Sequence, residues 1–428
     1  MPMRITLGIV KKLTQKKVNG GALYIAIMVG IIIGILLTMF ILLAKFNQRS
    51  STIYAQQSQL QYNLKSAVEI AKSEYFLESN NDKWFKNTYN DDSIKVKRMY
   101  WGAYLLVNAQ TKNRHHSLSS SGLYGQIMSS DTGIVVAENG RSIGVSGSVN
   151  FKANCYLPKA GIKPAYIEGQ SYLGSLQNPN YVKPSPKFIN EMSKGFKDGI
   201  FGQQAGLNFN SDSLVNFLPT KIKHSFSNKT LVWEPNQKNI SGYSLQNNIK
   251  IITQHDLVID STCHLNNVLI ICKKVKFKEG FKGSVHVIAS DSILCEKKCE
   301  FMFPSSFVLC SQDKGETALK CILLNEECVF YGGIVAFDKN EEDNKVFVKL
   351  NATSEVNGFI YSANYLHAEG KLNANVFCNT LLLKTPSAVY ENHLLACEVD
   401  PGKVAYLMSI PMVFERKGKL VNCKNFGK

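Results

Sequence analysis

The sequence predicts a mainly β protein: a long N-terminal transmembrane and stem α-helix followed by a parallel β-solenoid-like (β-helix) ectodomain. Three observations predict it. A charge-free apolar run covers residues 22–44, apolar residues then recur at helical spacing to about residue 75, and beyond residue 133 short apolar strands alternate with Gly and Asn turns. An antiparallel β-sandwich is the alternative for the strand-rich part, since evenly spaced short strands satisfy both folds. With 428 residues and 45% hydrophobic side chains, the chain has enough apolar material for a sizeable core.

The first element is the membrane segment. At about 1.5 Å per residue, a helix over 22–44 crosses a hydrocarbon layer of about 30 Å. A cleaved secretory signal has a shorter apolar region and a small-x-small cleavage site, whereas this run leads straight into "KFNQRSS". Residues 1–21 form a basic tail with Arg4, Lys11, Lys12, Lys16 and Lys17, and only Lys45 and Arg49 follow the span closely. The positive-inside bias therefore puts the N-terminus in the cytoplasm and the rest outside. Within the span Ala22, Ala26, Gly30, Gly34 and Thr38 recur every four residues as one ridge of small side chains. Gly30 to Gly34 is the small-xxx-small pattern that lets two helices pack closely in lipid. A monomeric anchor with incidental glycines satisfies the same residues.

Past the membrane, Leu60, Leu64, Val68, Ala71 and Tyr75 fall at spacings of three and four, with no Pro or Gly over residues 44–80. Residues 45–80 thus continue the helix as an amphipathic stem. The stretch "KVNGGALYIAIMVGIII" resembles the N-terminal pattern of prepilin-like proteins, above all minor pilins and the tip pseudopilins of type II secretion systems. The resemblance covers about residues 16–75 and puts the processing glycine at Gly20 or Gly21. Most major pilins carry a Glu five positions later; here that place holds Ile25 or Ala26, as in certain minor or tip members. What the resemblance implies is a single-pass protein of the bacterial cytoplasmic (inner) membrane, its C-terminal domain periplasmic or extracellular. Its stem would pack with other pilin-like stems.

The outer part begins at 81–132 with a hairpin and loop region. "SIKVKRMYWGAYLLV" reads as two strands around a turn at Trp101 and Gly102, and "NRHHSLSSSGLYG" as a polar loop. Residues 133–177 read as the first solenoid part. Residues 178–247 break the rhythm, with a helix expected after Pro186, and are expected as an insertion. The main solenoid covers 248–384, where "FKGSVHV", "YGGIVAF", "VNGFIYS" and "LNANVFC" each set a small residue before a short apolar strand. Small residues let a chain turn without a Cβ clash, and apolar side chains stack inside. Residues 385–428 leave the repeat and read as a terminal cap, with Tyr390 and His393 packed in it.

The charge distribution argues against nucleic acid. No Asp or Glu precedes Glu69, so half of the net +16 comes from the membrane end, and the remainder is spread among Lys-rich turns such as "KKVKFKEGFKG" without the Arg and aromatic clustering of a nucleic-acid groove. Eleven cysteines are an odd number, leaving at least one unpaired in a monomer. They fit buried thiols, or one or two disulfides in an oxidising compartment. No zinc spacing, P-loop, dinucleotide fingerprint or nucleophile elbow occurs, so no cofactor, metal or catalytic residue is expected. Adjacent His115 and His116 point opposite ways on an extended chain, and the acid run "DKNEEDNK" from Asp338 reads as a solvated turn. The expectation is a non-enzymatic envelope protein whose partners are the lipid bilayer, other stem helices, and a surface glycan or envelope protein. The alternative is a membrane-tethered carbohydrate-active enzyme or glycan-binding protein, with His255, Asp256, Asp260 and Asp291 as candidate groups.

Overall fold

The computed structural model describes residues 20–74, 76, 81–86, 92–174, 181–205, 213–311, 320–338, 346–415 and 419–423; of these about half lie in strands and 18% in helices. The basic residues of the tail, Tyr75 and the acidic residues 341–343 lie outside the described residues. The chain divides into two compact units, Met1–Tyr62 and Asn63–Lys428.

The first unit is carried by helix α1 (Gly20–Ala71), a single helix of 52 residues. It is long and apolar enough to cross a membrane, and its apolar stretch is 0% buried. The hydroxyl of Thr38 donates back to the carbonyl of Gly34 at 2.7 Å, which satisfies a polar group without leaving the helix.

Among the described residues the second unit contains three sheets, the smallest of which pairs Ile143–Ser146 in parallel with His393–Leu395 and with Ile162–Pro164. Another is antiparallel: Lys83–Lys86, Ser93–Trp101, Tyr104–Lys112 and Ser117–Ile127 pair in order, and Ser409–Ile410 and Val421–Asn422 pair with the last of them. Ala67 and Ala71 pack with Ile94, Val96, Leu105, Val107 and Ala109 in one buried cluster. The Ser-rich stretch expected as a loop is therefore largely strand. Its serines alternate with more covered residues on an exposed edge, a pattern without apolar periodicity.

The sheet with the most strands is closed on itself and its ladders are parallel, apart from the antiparallel strand Val389–Glu391. Parallel pairing excludes the antiparallel sandwich for this body. One column of directly paired residues shows what holds it: Trp233, Ile251, Ile270, Val287, Phe307, Ile334, Ile360, Val376 and Ile134 succeed one another level by level. All are buried in the same core. The next residue along each strand points the other way, and that column is apolar too: Ile252, Ile271, Ile288, Val308, Val335, Tyr361, Phe377 and Val135. These strands are covered on both faces, which is why they read as continuous apolar runs such as "VLIIC".

The spatial order of levels differs from the chain order, and three expected boundaries change. Thr132–Val136 pairs with Gly370–Lys384, then Asn154–Leu157 with Thr132–Val136, then Val182–Pro184 with Asn154–Leu157. The segment expected to open the series thus stacks on the end of the main one. The expected insertion 178–247 is no single unit, because Ser213–Val215, Leu231–Trp233 and Ser244–Asn247 form parallel levels that lead into Ile249–Ile252 and His264–Phe277. The expected cap 385–428 is divided as well: Cys397–Val399 pairs with Gly370–Lys384 and with Asn150–Phe151, inside the stack.

A crossover joins the two ends. It contains helix α2 (Lys194–Gln204), which follows Pro186 as expected; Ser193 caps it, its hydroxyl accepting from the amide of Phe196 at 3.2 Å. Phe196 and Ile200 of α2 are fully buried with Phe337, Val335 and Val308 on the outer face of the parallel body. Level edges at one end carry Pro164, Pro184, Lys163 and Lys183, residue types that discourage further strand addition.

Candidate functional site

The antiparallel hairpin reaches the outer face of the parallel body through its tip. Trp101 and Tyr104 are fully buried, and the Trp101 indole N–H donates to the carbonyl of Asn267 at 2.9 Å. The amide of Ala103 donates to the hydroxyl of Ser306 at 3.1 Å. Gly102, at φ +57°, lies flat between them; a Cβ there would sit 2.3 Å from the Ser306 hydroxyl and 2.7 Å from the Cβ of His286. The turn needs glycine for its backbone conformation and for this close approach.

His286 is the titratable group of this contact. Its Nδ1 lies 2.9 Å from the Ser306 hydroxyl, its ring is edge-on to Tyr104, and Nε2 is buried without a hydrogen-bond partner. The Ser306 hydroxyl thus bonds both the amide of Ala103 and Nδ1 of His286. Burial lowers its pKa to about 3. An unfolded histidine titrates near ~6.5, so between those values the unfolded chain binds a proton that the folded chain does not. Stability contributed by neutral His286 is complete above about pH 6.5 and falls as pH drops below it. We expect the denaturation midpoint to decline from pH 6.5 to 4.5, above the range where ordinary carboxylates titrate, with a total loss of a few kcal/mol by pH 3. Urea titrations of the full chain and of His286→Gln at each pH measure it. An unchanged slope in the variant would refute the assignment.

Two open grooves border these contacts. The first, about 700 Å³, lies between the antiparallel sheet and the parallel body, with Lys223, Phe226, Asn247, Asn267 and Asn422 in its wall. The second, about 450 Å³, lies beside the crossover and is lined by Phe188, Glu191, Lys197, Asp338, Tyr361 and Asn364, among others. Asp338 and Glu191 come together there only through the crossover. Nothing in the sequence near either residue signals it, because the pairing depends on where α2 lies.

The groups weighed from the sequence do not converge. Asp260 accepts from the amide and hydroxyl of Thr262 at 3.0 and 2.8 Å, and those bonds lower its pKa in a local turn. Asp256 lies toward Cys272 and Asp291 toward Cys321, while His255 is exposed. None lines either groove. His115 and His116 share a turn in which both amides donate to Asn113 Oδ1 at 2.9 and 2.7 Å. Tyr390 and His393 lie ring to ring at 5.5 Å, and His393 pairs through its backbone with Gly144. Gly21, Ala22, Ala26, Gly30, Gly34 and Thr38 are all exposed along α1, and Gly20 is its first residue. A Cβ at Gly30 or Gly34 would meet nothing within 4 Å. Among the described residues no group of three or more His, Cys, Asp or Glu is placed to hold a metal ion. The eleven cysteines, all among the described residues, carry thiols, and burial pushes the Cys155 and Cys423 thiols up to about 12.

Comparisons of the chain with family models, with curated proteins and with solved structures each found no match.

Proposed function

We propose that the chain is a single-pass envelope protein in which a membrane helix tethers a β-solenoid body that acts by assembly or binding, in the manner of a minor pilin or tip pseudopilin. The observation that carries this reading is the uncharged, wholly exposed apolar stretch of α1, since burying that much apolar surface requires lipid or other helices. The solenoid reading is supported by the level-by-level register, in which each strand pairs in parallel with the next turn of chain. Prepilin-like assembly is supported by the exposed ridge of Ala22, Ala26, Gly30, Gly34 and Thr38, where nothing on the helix itself obstructs a second backbone. The carbohydrate-active alternative needs acidic groups that meet, and its four candidates are scattered.

The wild-type chain is expected in the membrane pellet after alkaline carbonate extraction. Ile33→Arg combined with Leu37→Arg adds about 5–7 kcal/mol to the insertion cost and is expected to move the protein to the supernatant. In the same preparation, N-terminal sequencing reads Gly21 or Ala22 if the prepilin-like site is processed. A wild-type chain released by carbonate would remove the anchor, and an intact Met-Pro start would remove the processing.

A further inference from the structure

The parallel body has a corner at which one position recurs on successive levels: Phe281, Cys299, Cys328, Ser354 and Gly370. The register is fixed by backbone bonds, with the amides of Glu300, Val329, Glu355 and Lys371 donating to the carbonyls of Phe281, Cys299, Cys328 and Ser354 at 2.8, 2.9, 2.9 and 3.1 Å. In a parallel ladder such neighbours lie about 4.8 Å apart with side chains on the same side, within the Cα separation that a disulfide spans. In this column only Cys299 and Cys328 put two cysteines on adjacent levels. Both are fully buried; Cys299 Sγ lies 3.3 Å from the carbonyl of Lys278 and Cys328 Sγ 3.0 Å from that of Glu296. Each level contributes an exposed, tightly turned residue just before the cysteine, Lys298 and Glu327, both near φ +57°.

We infer that Cys299 and Cys328 form a redox pair that closes into a disulfide between adjacent levels when the chain folds in an oxidising compartment. With a small-molecule disulfide such as oxidised glutathione, the Cys328 thiolate attacks one sulfur and expels a glutathione thiolate. The Cys299 thiolate then attacks the Cys328 sulfur of the mixed disulfide and expels the second. Two protons leave the cysteines and end on the two glutathiones, and the two electrons lost by the pair reduce the glutathione disulfide. Because the corner is buried once formed, the exchange takes place during folding, and the native body then retains whichever state it acquired. The inference is independent of the membrane reading, since the geometry lies within the β body.

The test refolds the full chain from urea in detergent, with oxidised and reduced glutathione or with reduced glutathione alone, then alkylates and digests it. Oxidative refolding is expected to yield a peptide linked through Cys299 and Cys328, assigned by fragmentation because Cys310 and Cys321 lie on the same tryptic peptides. Cys310→Ser and Cys321→Ser should keep the link, and Cys299→Ser and Cys328→Ser should each abolish it. The oxidised protein should melt roughly 5 °C above the reduced one, as closing a loop of this size predicts. Recovery of both cysteines as alkylated thiols, or their pairing with any other cysteine, overturns the inference. The wild-type map decides even if a serine variant fails to fold.

Discussion

Gly332→Ala is expected to cost about 3–5 kcal/mol and to lower the melting midpoint by roughly 4–7 °C, or to prevent folding altogether. Gly332 adopts φ +143°, a region closed to side-chain-bearing residues, and a Cβ there would lie 1.9 Å from the carbonyl oxygen of Ser305 on the preceding level. That neighbour is backbone, paired in register with Gly332, so it cannot move aside without breaking its own ladder. The control is Gly140→Ala. Gly140 also has a positive φ, +72°, but a Cβ there meets nothing within 4 Å, so only the conformational cost of about 1 kcal/mol applies. Equal losses in the two variants, measured by thermal denaturation of the full chain, would mean that close packing of the levels is not what excludes a side chain at 332.

The second large effect concerns the interior. Phe301 is fully buried, with ring centroids 5.1, 5.6, 4.9 and 5.7 Å from Phe277, Phe281, Phe307 and Phe330. Phe301→Ala should destabilise the body by about 3–5 kcal/mol, since its neighbours belong to fixed levels and cannot collapse into the space. Phe301→Leu keeps most of the volume and should lose less than about 2 kcal/mol, the remainder reporting the edge-to-face contacts. Chemical denaturation separates the two. A drop below about 1 kcal/mol for the alanine variant would show a loosely packed interior.

The long apolar helix was legible because its signal is compositional: an absence of charge over 22–44 needs no knowledge of neighbours. The parallel strands were legible because Gly283, Gly332 and Gly358 recur before apolar runs, and the structure places close backbone at all three. Chain order was a poor guide to which level lies next to which. Nothing local in "GIVVAENG" tells that Ile134 pairs with Val376 rather than with a strand nearby in sequence. The outward apolar column was hidden for a related reason. In "VLIICKK" both faces are apolar, so period-two reasoning gives no hint that one face is covered by a hairpin tip and a crossover helix. The grooves follow from those coverings, and so do the surroundings of His286 and Asp338.

The position of Thr132–Val136 on the last main level has a temporal meaning. Asn375 closes that junction, its amide donating to the carbonyl of Thr132 at 2.6 Å across a separation of 243 residues. A strand made early during synthesis therefore waits, with its edge unpaired, until most of the remaining polypeptide has emerged. Its docking is the late, slow event of maturation, as expected for distant pairings whose loop entropy is lost before any contact compensates. A ribosome that stops short of residue 376 would leave Thr132–Val136 paired with Asn154–Leu157 alone, its other edge open to aggregation.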